Sequence, residues 1–121
     1  MNNPFTVHCI PWQAGAPLLQ NVRVTASEMG LMEKSGALAD KLDDQCRHAL
    51  ALSASGRAIG CARITPDGDI ERVVVLPHEH RTQIEAAMIE ALNDYALQTG
   101  SRHAADRRSK RTTPSSRTAD R

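Results

Sequence analysis

The fold is decided by the stretch Ile70-Glu71-Arg72-Val73-Val74-Val75-Leu76-Pro77-His78-Glu79-His80-Arg81, which joins the most β-prone run of the chain to its most regular helix. Three consecutive valines favour a strand, and an unbroken apolar run is typical of burial on both faces. Pro77 ends the strand because it cannot donate to a sheet ladder. Residues 82–98 are predicted to be helical, since apolar side chains recur at three- and four-residue steps: Ile84, Ala87, Met88, Ala91, Leu92 and Tyr95.

Two shorter strands are predicted ahead of this segment. Residues 49–52 and 58–64 are apolar runs separated by Ser-Ala-Ser-Gly-Arg, and Thr-Pro-Asp-Gly-Asp separates the second run from Ile70. Proline presets φ and glycine tolerates positive φ, so the second linker is a strong turn signal. We therefore expect three antiparallel strands joined by two tight turns.

The N-terminal part predicts a strand and a helix. Residues 5–10 alternate apolar and polar side chains, and residues 17–29 carry an apolar residue at every third or fourth position, with Gly30 as the terminator. Leu38 and Leu42 indicate a short second helix in an acidic stretch. The expected fold is α/β, of the α+β kind with a mixed sheet, in the order β-α-α-β-β-β-α over residues 1–100.

Residues 101–121 form a second, compositionally different segment. They hold seven basic and two acidic side chains, a net +5, and lack Leu, Ile, Val, Phe, Tyr and Trp, whereas residues 1–100 hold eight basic and twelve acidic ones, a net −4. A segment without apolar side chains cannot offset the entropy cost of ordering. We expect a disordered basic tail. Contacts with nucleic-acid phosphates are a less favoured alternative, because the tail has no aromatic residue for base stacking.

Composition also narrows the class of protein. No run reaches the roughly 20 apolar residues of a membrane span, and no signal peptide is recognisable, so no membrane partner and a cytoplasmic location are expected. Cys9, Cys46 and Cys61 are odd in number and contain no C-x-x-C pair, which argues against a disulfide framework or a zinc site. His78 and His80 lack supporting metal ligands, so no metal is expected.

The order of elements and the segment quoted above resemble the GNAT-type N-acetyltransferases over residues 5–100. In that family a strand of the form I-G-R-V-A-V-L-P leads into R-G-x-G-I-G-x-A-L-M at the start of a helix. Here the second part reads Arg81-Thr82-Gln83-Ile84-Glu85-Ala86-Ala87-Met88-Ile89. Upstream blocks also resemble bacterial members: Val22-Arg23, Asp43-Asp44-Gln45-Cys46-Arg47-His48-Ala49-Leu50 and Ala58-Ile59-Gly60-Cys61-Ala62-Arg63-Ile64.

The resemblance implies an acyl-CoA-dependent N-acyltransferase, with acetyl-CoA as acyl donor and an amine of a small molecule or protein as acceptor. The backbone of Val73, Val74 and Val75 would hold the pantetheine arm. The pyrophosphate would face Arg81, Thr82, Gln83, Ile84, Glu85 and Ala86, where helix N-terminal amides favour an anion. Glu28 occupies a position at which related proteins place an acid near the acceptor amine. For Arg81 and Glu28 an ordinary solvated role stays an alternative.

Two departures from the family pattern support a second hypothesis. Isoleucine or glutamate stands where the family has glycines, and residues 101–121 cannot supply the strand and helix with which the family continues, so we expect a truncated or frame-shifted form. The alternative is a non-catalytic remnant of the fold. Such a remnant would self-associate as a homodimer through the exposed edge of the valine-rich strand, since an unpaired edge is a template for pairing.

Overall fold

Four strands form one sheet in the computed structural model, which describes residues 3–99. They are β1 (Phe5–Pro11), β2 (Arg47–Ser53), β3 (Ala58–Ile64) and β4 (Ile70–Val75), and they lie side by side in chain order. All three pairings are antiparallel. The expected α+β class is confirmed for residues 3–99, whereas the sheet in this region is antiparallel rather than mixed, because tight turns return the chain between β2, β3 and β4.

Three helices accompany the sheet: α1 (Trp12–Glu28), α2 (Lys34–Ala37) and α3 (Arg81–Gln98). Helix α1 begins five residues earlier than the pattern predicts, and its backbone is non-helical at Gly15. Its main segment therefore starts close to Pro17, as expected for proline in a first turn. Gly30, with φ of 77°, ends it: Gly30 N–H donates to the Ser27 carbonyl and Leu31 N–H to the Ala26 carbonyl, a Schellman motif.

The predicted short second helix is divided into two pieces. Helix α2 is a single turn, and a 3₁₀ turn follows at Lys41–Gln45. The 3₁₀ turn starts with a capping box, in which Asp43 N–H donates to the Asp40 carboxylate and Asp40 N–H donates to the Asp43 carboxylate. These reciprocal bonds satisfy two backbone amides at the start of the 3₁₀ turn and so fix its position.

The core has two layers, one on each face of the sheet. On one face α3 buries Ile84, Met88 and Leu92 against the sheet, together with Val75. On the other face α1 buries Leu19, Val22 and Ala26, together with Val74. Since Val74 and Val75 lie on opposite faces, the prediction that the valine run is buried from both sides is confirmed for these two residues.

Strand β4 is irregular in its middle. The register between β3 and β4 shifts between Cys61 and Arg63, and Arg72 has a φ of 55°, in the left-handed region that non-glycine residues rarely adopt. The Arg72 guanidinium donates to the Leu38 carbonyl at 2.7 Å and to the Asp40 carboxylate at 2.9 Å. These bonds hold the bulge against the segment that follows α2.

Within residues 3–99, no helix has the length and apolar character needed to cross a membrane. The predicted basic tail, residues 101–121, lies outside the described residues, as does Gly100, the expected helix terminator.

Candidate functional site

The outer edge of β4 carries backbone groups that no strand within residues 3–99 pairs with. On the inner side, Leu76 N–H donates to the Ile59 carbonyl at 2.8 Å. Backbone groups of an antiparallel strand alternate between its two edges. The N–H and C=O groups of Val75 and Val73 therefore face outward, where an extended chain could pair with them.

The turn that follows β4 delivers the chain to the N-terminus of α3. Arg81 N–H donates to the His78 carbonyl at 3.1 Å, and Ile84 N–H donates to the His80 carbonyl at 2.9 Å. Between them, the amides of Thr82 and Gln83 have no acceptor within residues 3–99. Two free amides at a helix N-terminus carry partial positive charge and favour an anion.

The six residues predicted to face a pyrophosphate do not all lie on the surface of this corner. Arg81, Thr82 and Gln83 are exposed in the first turn of α3, and Ala86 is exposed one turn later. Ile84 is fully buried, because the helical register that places Met88 and Leu92 in the core also turns Ile84 inward. Its side chain neither lines nor blocks the corner. Glu85 is half-buried and is the acidic residue closest in sequence to the free amides.

A cavity of about 440 Å³ lies next to this corner. It is bounded by the C-terminal part of α1, the β2–β3 turn and the end of β4, through Thr25, Met29, Ser53, Ser55, Arg57, Ile59, Leu76, Pro77 and His78. Glu28, the last residue of α1, is exposed and lies in sequence between the lining residues Thr25 and Met29. The structure thus brings the end of β4, the start of α3 and the helix end that carries Glu28 to one end of the sheet.

His78 is a lining residue that the sequence did not single out as functional. Its Nδ1 accepts a hydrogen bond from the His80 N–H at 3.1 Å. With Nδ1 occupied as an acceptor, the proton of the neutral ring is assigned to Nε2. His78 can therefore offer a donor to the cavity. The turn between Pro77 and Arg81 indicates the position of His78 in the sequence, but nothing in the sequence indicates its tautomer.

A buried charge cluster lies on the same face of the sheet as α1. Arg23 donates two hydrogen bonds to the Asp43 carboxylate, at 3.0 and 2.8 Å, and both side chains are about 1% exposed. Arg63 donates to the same carboxylate at 2.9 Å and to Asp40 at 2.8 Å. On its other side Arg63 donates to Glu71. We call these residues, with Arg72, the charge cluster.

The ionisation of the charge cluster follows from its hydrogen bonds. Burial opposes the charge of Asp43, but hydrogen bonds from Arg23, the Asp40 N–H and Arg63 outweigh it and hold the pKa of Asp43 well below its ordinary value. Burial likewise opposes the charge of Arg63, and the carboxylates of Asp40, Glu71 and Asp43 nevertheless raise its pKa. Asp43 and Arg63 are therefore both charged at neutral pH.

His48 borders the charge cluster and is fully buried. Its Nε2 lies 3.0 Å from the Asp43 carbonyl oxygen, and Trp12 packs against both His48 and the Arg23 guanidinium. Burial lowers the pKa of His48, and this effect outweighs the Asp43 carbonyl and carboxylate, which act in the opposite direction. The ring is thus neutral at physiological pH and donates from Nε2 to the carbonyl.

The role of the charge cluster is structural: it holds helices and strands in place and does not orient groups that react. It joins α1, the 3₁₀ turn, β3 and the bulge of β4, so it fixes the strand whose outer edge is open. Sequence reasoning missed it, although a signal existed: Arg23 stands on the apolar face of α1, and Arg63 stands in a strand in which every residue is buried. Within residues 3–99, no group of three or more metal-ligating side chains is close enough to hold a metal ion.

Comparison with known proteins adds no relative: no family model, curated protein or solved structure matches the chain.

Proposed function

We propose that this protein binds an acyl-CoA along the open edge of β4 and at the N-terminus of α3, and transfers the acyl group to an amine. The observation that carries the proposal is the succession of an unpaired strand edge, a turn and a helix N-terminus with two free amides. The resemblance of residues 5–100 to GNAT-type N-acetyltransferases supports the same reading.

The strand edge suits the pantetheine arm of an acyl-CoA. That arm contains two amide groups, which can pair with the outward N–H and C=O groups of Val73 and Val75 as an added strand would. The charge cluster holds Arg72 and the bulge in place, so the edge is fixed before a ligand arrives. A preformed edge lowers the ordering cost of binding.

The start of α3 suits the pyrophosphate. The free amides of Thr82 and Gln83 and the helix dipole favour an anion, and the exposed Arg81 guanidinium can add a charge-assisted hydrogen bond. Burial of the Ile84 side chain removes the steric obstacle that a branched residue at a glycine position would create. Glu85 acts against binding, because its carboxylate repels phosphate oxygens.

The cavity beside the corner would take the acceptor amine. In the transfer, the amine nitrogen replaces sulfur at the acyl carbon and loses a proton, and the departing thiolate gains one. Alignment of the two reactants accounts for much of the rate in such reactions. We assign the uptake of the amine proton to Glu28 through water, and we assign to the Nε2–H of His78 a hydrogen bond that orients a ligand oxygen.

Calorimetric titration with acetyl-CoA tests this function. We expect saturable binding to the unmodified protein, roughly tenfold weaker binding to Arg81→Gln, and tighter binding to Glu85→Gln. Glu90→Gln removes an exposed carboxylate further along α3; it is the matched control and should bind like the unmodified protein. No heat of binding at millimolar acetyl-CoA would reject the proposal.

The same open edge supports a second candidate, a homodimer in which two β4 strands pair. An unpaired strand edge templates pairing with another chain. Sedimentation equilibrium distinguishes the two roles, because a dimer that uses this edge should dissociate when acetyl-CoA occupies it. A monomer at all concentrations would eliminate the second candidate and leave the first untouched.

A further inference from the structure

A second cavity, of about 370 Å³, lies at the opposite end of the sheet from the proposed acyl-CoA corner. It is formed where β1 ends, β2 begins and β3 ends, beneath the last turn of α3. Its polar side chains include Asp44, Arg47, Thr65 and Thr99, and its apolar wall includes Ile64 and Pro66. The proposed transfer reaction uses none of these residues.

Arg47 is the unusual member of this cavity. Its guanidinium carbon lies over the Tyr95 ring, 4.8 Å from the centroid, and the hydrogen bond that Arg47 donates to the Cys9 carbonyl is long, at 3.5 Å. Its Nε is buried without a partner. Within residues 3–99, no carboxylate oxygen lies within 4.0 Å of its side-chain nitrogens.

The absence of a carboxylate beside Arg47 distinguishes it from the other arginines of residues 3–99. Arg23, Arg63 and Arg72 are each paired with a carboxylate, while Arg57 and Arg81 are exposed to water. Arg47 alone among these six is partly buried without a counter-charge. A partly desolvated guanidinium without a counter-charge favours a planar carboxylate, which its nitrogens can bind in a bidentate manner.

The cavity also contains an acidic side chain. Asp44 is exposed at its rim, and it does not pair with Arg47. The C-terminal end of α3 adds partial negative charge nearby. A doubly charged anion such as phosphate would be attracted by Arg47 but repelled by these groups. A molecule with a carboxylate and a separate ammonium group can place a negative charge beside Arg47 and a positive charge beside Asp44.

We propose that this cavity binds a free α-amino acid with an apolar side chain, its carboxylate on Arg47 and its ammonium group toward Asp44. The apolar wall of Ile64 and Pro66 receives the side chain. The site is independent of the acyl-CoA corner, because the two lie at opposite ends of the sheet. Cys46 also lines the cavity, but burial raises the pKa of its thiol to about 11, so the proposal assigns it no role as a nucleophile.

Three related ligands separate the two charge contacts in the unmodified protein. Titrations followed by amide NMR would use L-leucine, L-leucinamide, which lacks the carboxylate, and N-acetyl-L-leucine, which lacks the ammonium group. We expect L-leucine to shift the amides of Cys46, Thr65 and Thr99 saturably. Both analogues should bind at least roughly tenfold more weakly than L-leucine.

Variants assign each contact to its residue. Arg47→Met should abolish L-leucine binding, while Lys34→Met, which removes an exposed positive charge from α2 outside both cavities, should leave it unchanged. In Asp44→Asn the preference for L-leucine over N-acetyl-L-leucine should disappear. The proposal would be overturned if L-leucinamide bound as tightly as L-leucine, or if the preference for L-leucine persisted in Asp44→Asn. It would also be overturned if L-leucine caused no saturable shift. The ligand comparison decides even if Arg47→Met fails to fold.

Discussion

Arg23 and Asp43, twenty positions apart in the sequence, form a bidentate ion pair with hydrogen bonds of 3.0 and 2.8 Å. Neither side chain is more than about 1% exposed. The pair attaches α1 to the 3₁₀ turn, and Arg63 extends it to β3 and Glu71. The position of β4, and with it the open edge proposed to bind a ligand, therefore depends on buried electrostatics as well as on apolar packing.

Removing the charge of Asp43 should strongly destabilise the fold. In Asp43→Asn, the buried guanidinium of Arg23 and part of that of Arg63 would lose their counter-charge, and breaking a buried pair in this way costs about 3–5 kcal/mol. Urea denaturation measures the change in the free energy of unfolding. Asp44→Asn, the exposed neighbour, is the control and should change it by less than about 0.5 kcal/mol. Equal stabilities for the two variants would show that the pair contributes nothing.

His48 should make the fold sensitive to mild acid. Burial lowers the pKa of His48 in the folded state. Below roughly pH 6.5, the ordinary histidine pKa, the unfolded chain therefore binds a proton at this ring before the folded chain does. Stability from this source is complete above that pH and is lost as the pH falls. Asp43 acts in the same sense at lower pH: its depressed pKa contributes stability above roughly pH 4, the ordinary aspartate value, which is lost on further acidification.

Urea midpoints measured between pH 8 and pH 5 isolate the histidine contribution, because Asp43 contributes a pH dependence only at lower pH. The unmodified protein should lose stability across this range, whereas His48→Gln, less stable at pH 8, should show a flatter profile. His8→Gln is the control, since His8 is exposed on β1, and it should keep the slope of the unmodified protein. A slope unaltered in His48→Gln would refute the assignment.

Cysteine labelling should distinguish buried from accessible thiols. Cys46 and Cys61 are buried, and burial raises the pKa of both thiols to about 11, so few thiolates form at pH 8. We expect iodoacetamide to modify Cys9, which is partly exposed, well before the other two. Mass spectrometry of timed samples checks the order, and urea should make all three react. Modification of Cys61 as fast as Cys9 would contradict the packing around β3.

Ile84 should behave as a core residue and not as part of a phosphate loop. Ile84→Ala should lower the free energy of unfolding by about 2–5 kcal/mol, because it leaves a cavity between α3 and the sheet. Ile89→Ala, a partly buried position on the same helix, should cost less. A mild effect of Ile84→Ala joined to tighter acetyl-CoA binding would indicate that Ile84 faces the ligand instead.

The strands and α3 could be predicted from the sequence because their signals are local. Ala58–Ile64 was predicted with its observed bounds, since a turn signal flanks it on each side, and the apolar period of α3 is long enough to define a face. The terminator Gly30 was predicted for the same reason: a helix end needs only one residue that accepts positive φ.

The pairing of side chains within the charge cluster and the composition of the second cavity could not be predicted, because the residues that meet there are distant in sequence. The residues around Asp43 indicate an acidic stretch and a family resemblance, and nothing in them reveals that Arg23 and Arg63 contact its carboxylate. Arg47 was quoted for family resemblance alone. Its missing counter-charge is visible only when the strands place it against Tyr95. Ile84 was placed at the ligand by motif alignment, whereas helix periodicity decided its direction.

The central claim, that the edge of β4 and the start of α3 hold an acyl-CoA, is tested most directly by amide NMR during titration with acetyl-CoA. The account predicts saturable shifts centred on the amides of Val73, Val75, Thr82 and Gln83, with those of Cys46 and Thr99 at the far end of the sheet unchanged. Unperturbed amides along β4 at saturating acetyl-CoA, or shifts confined to other surfaces, would contradict it.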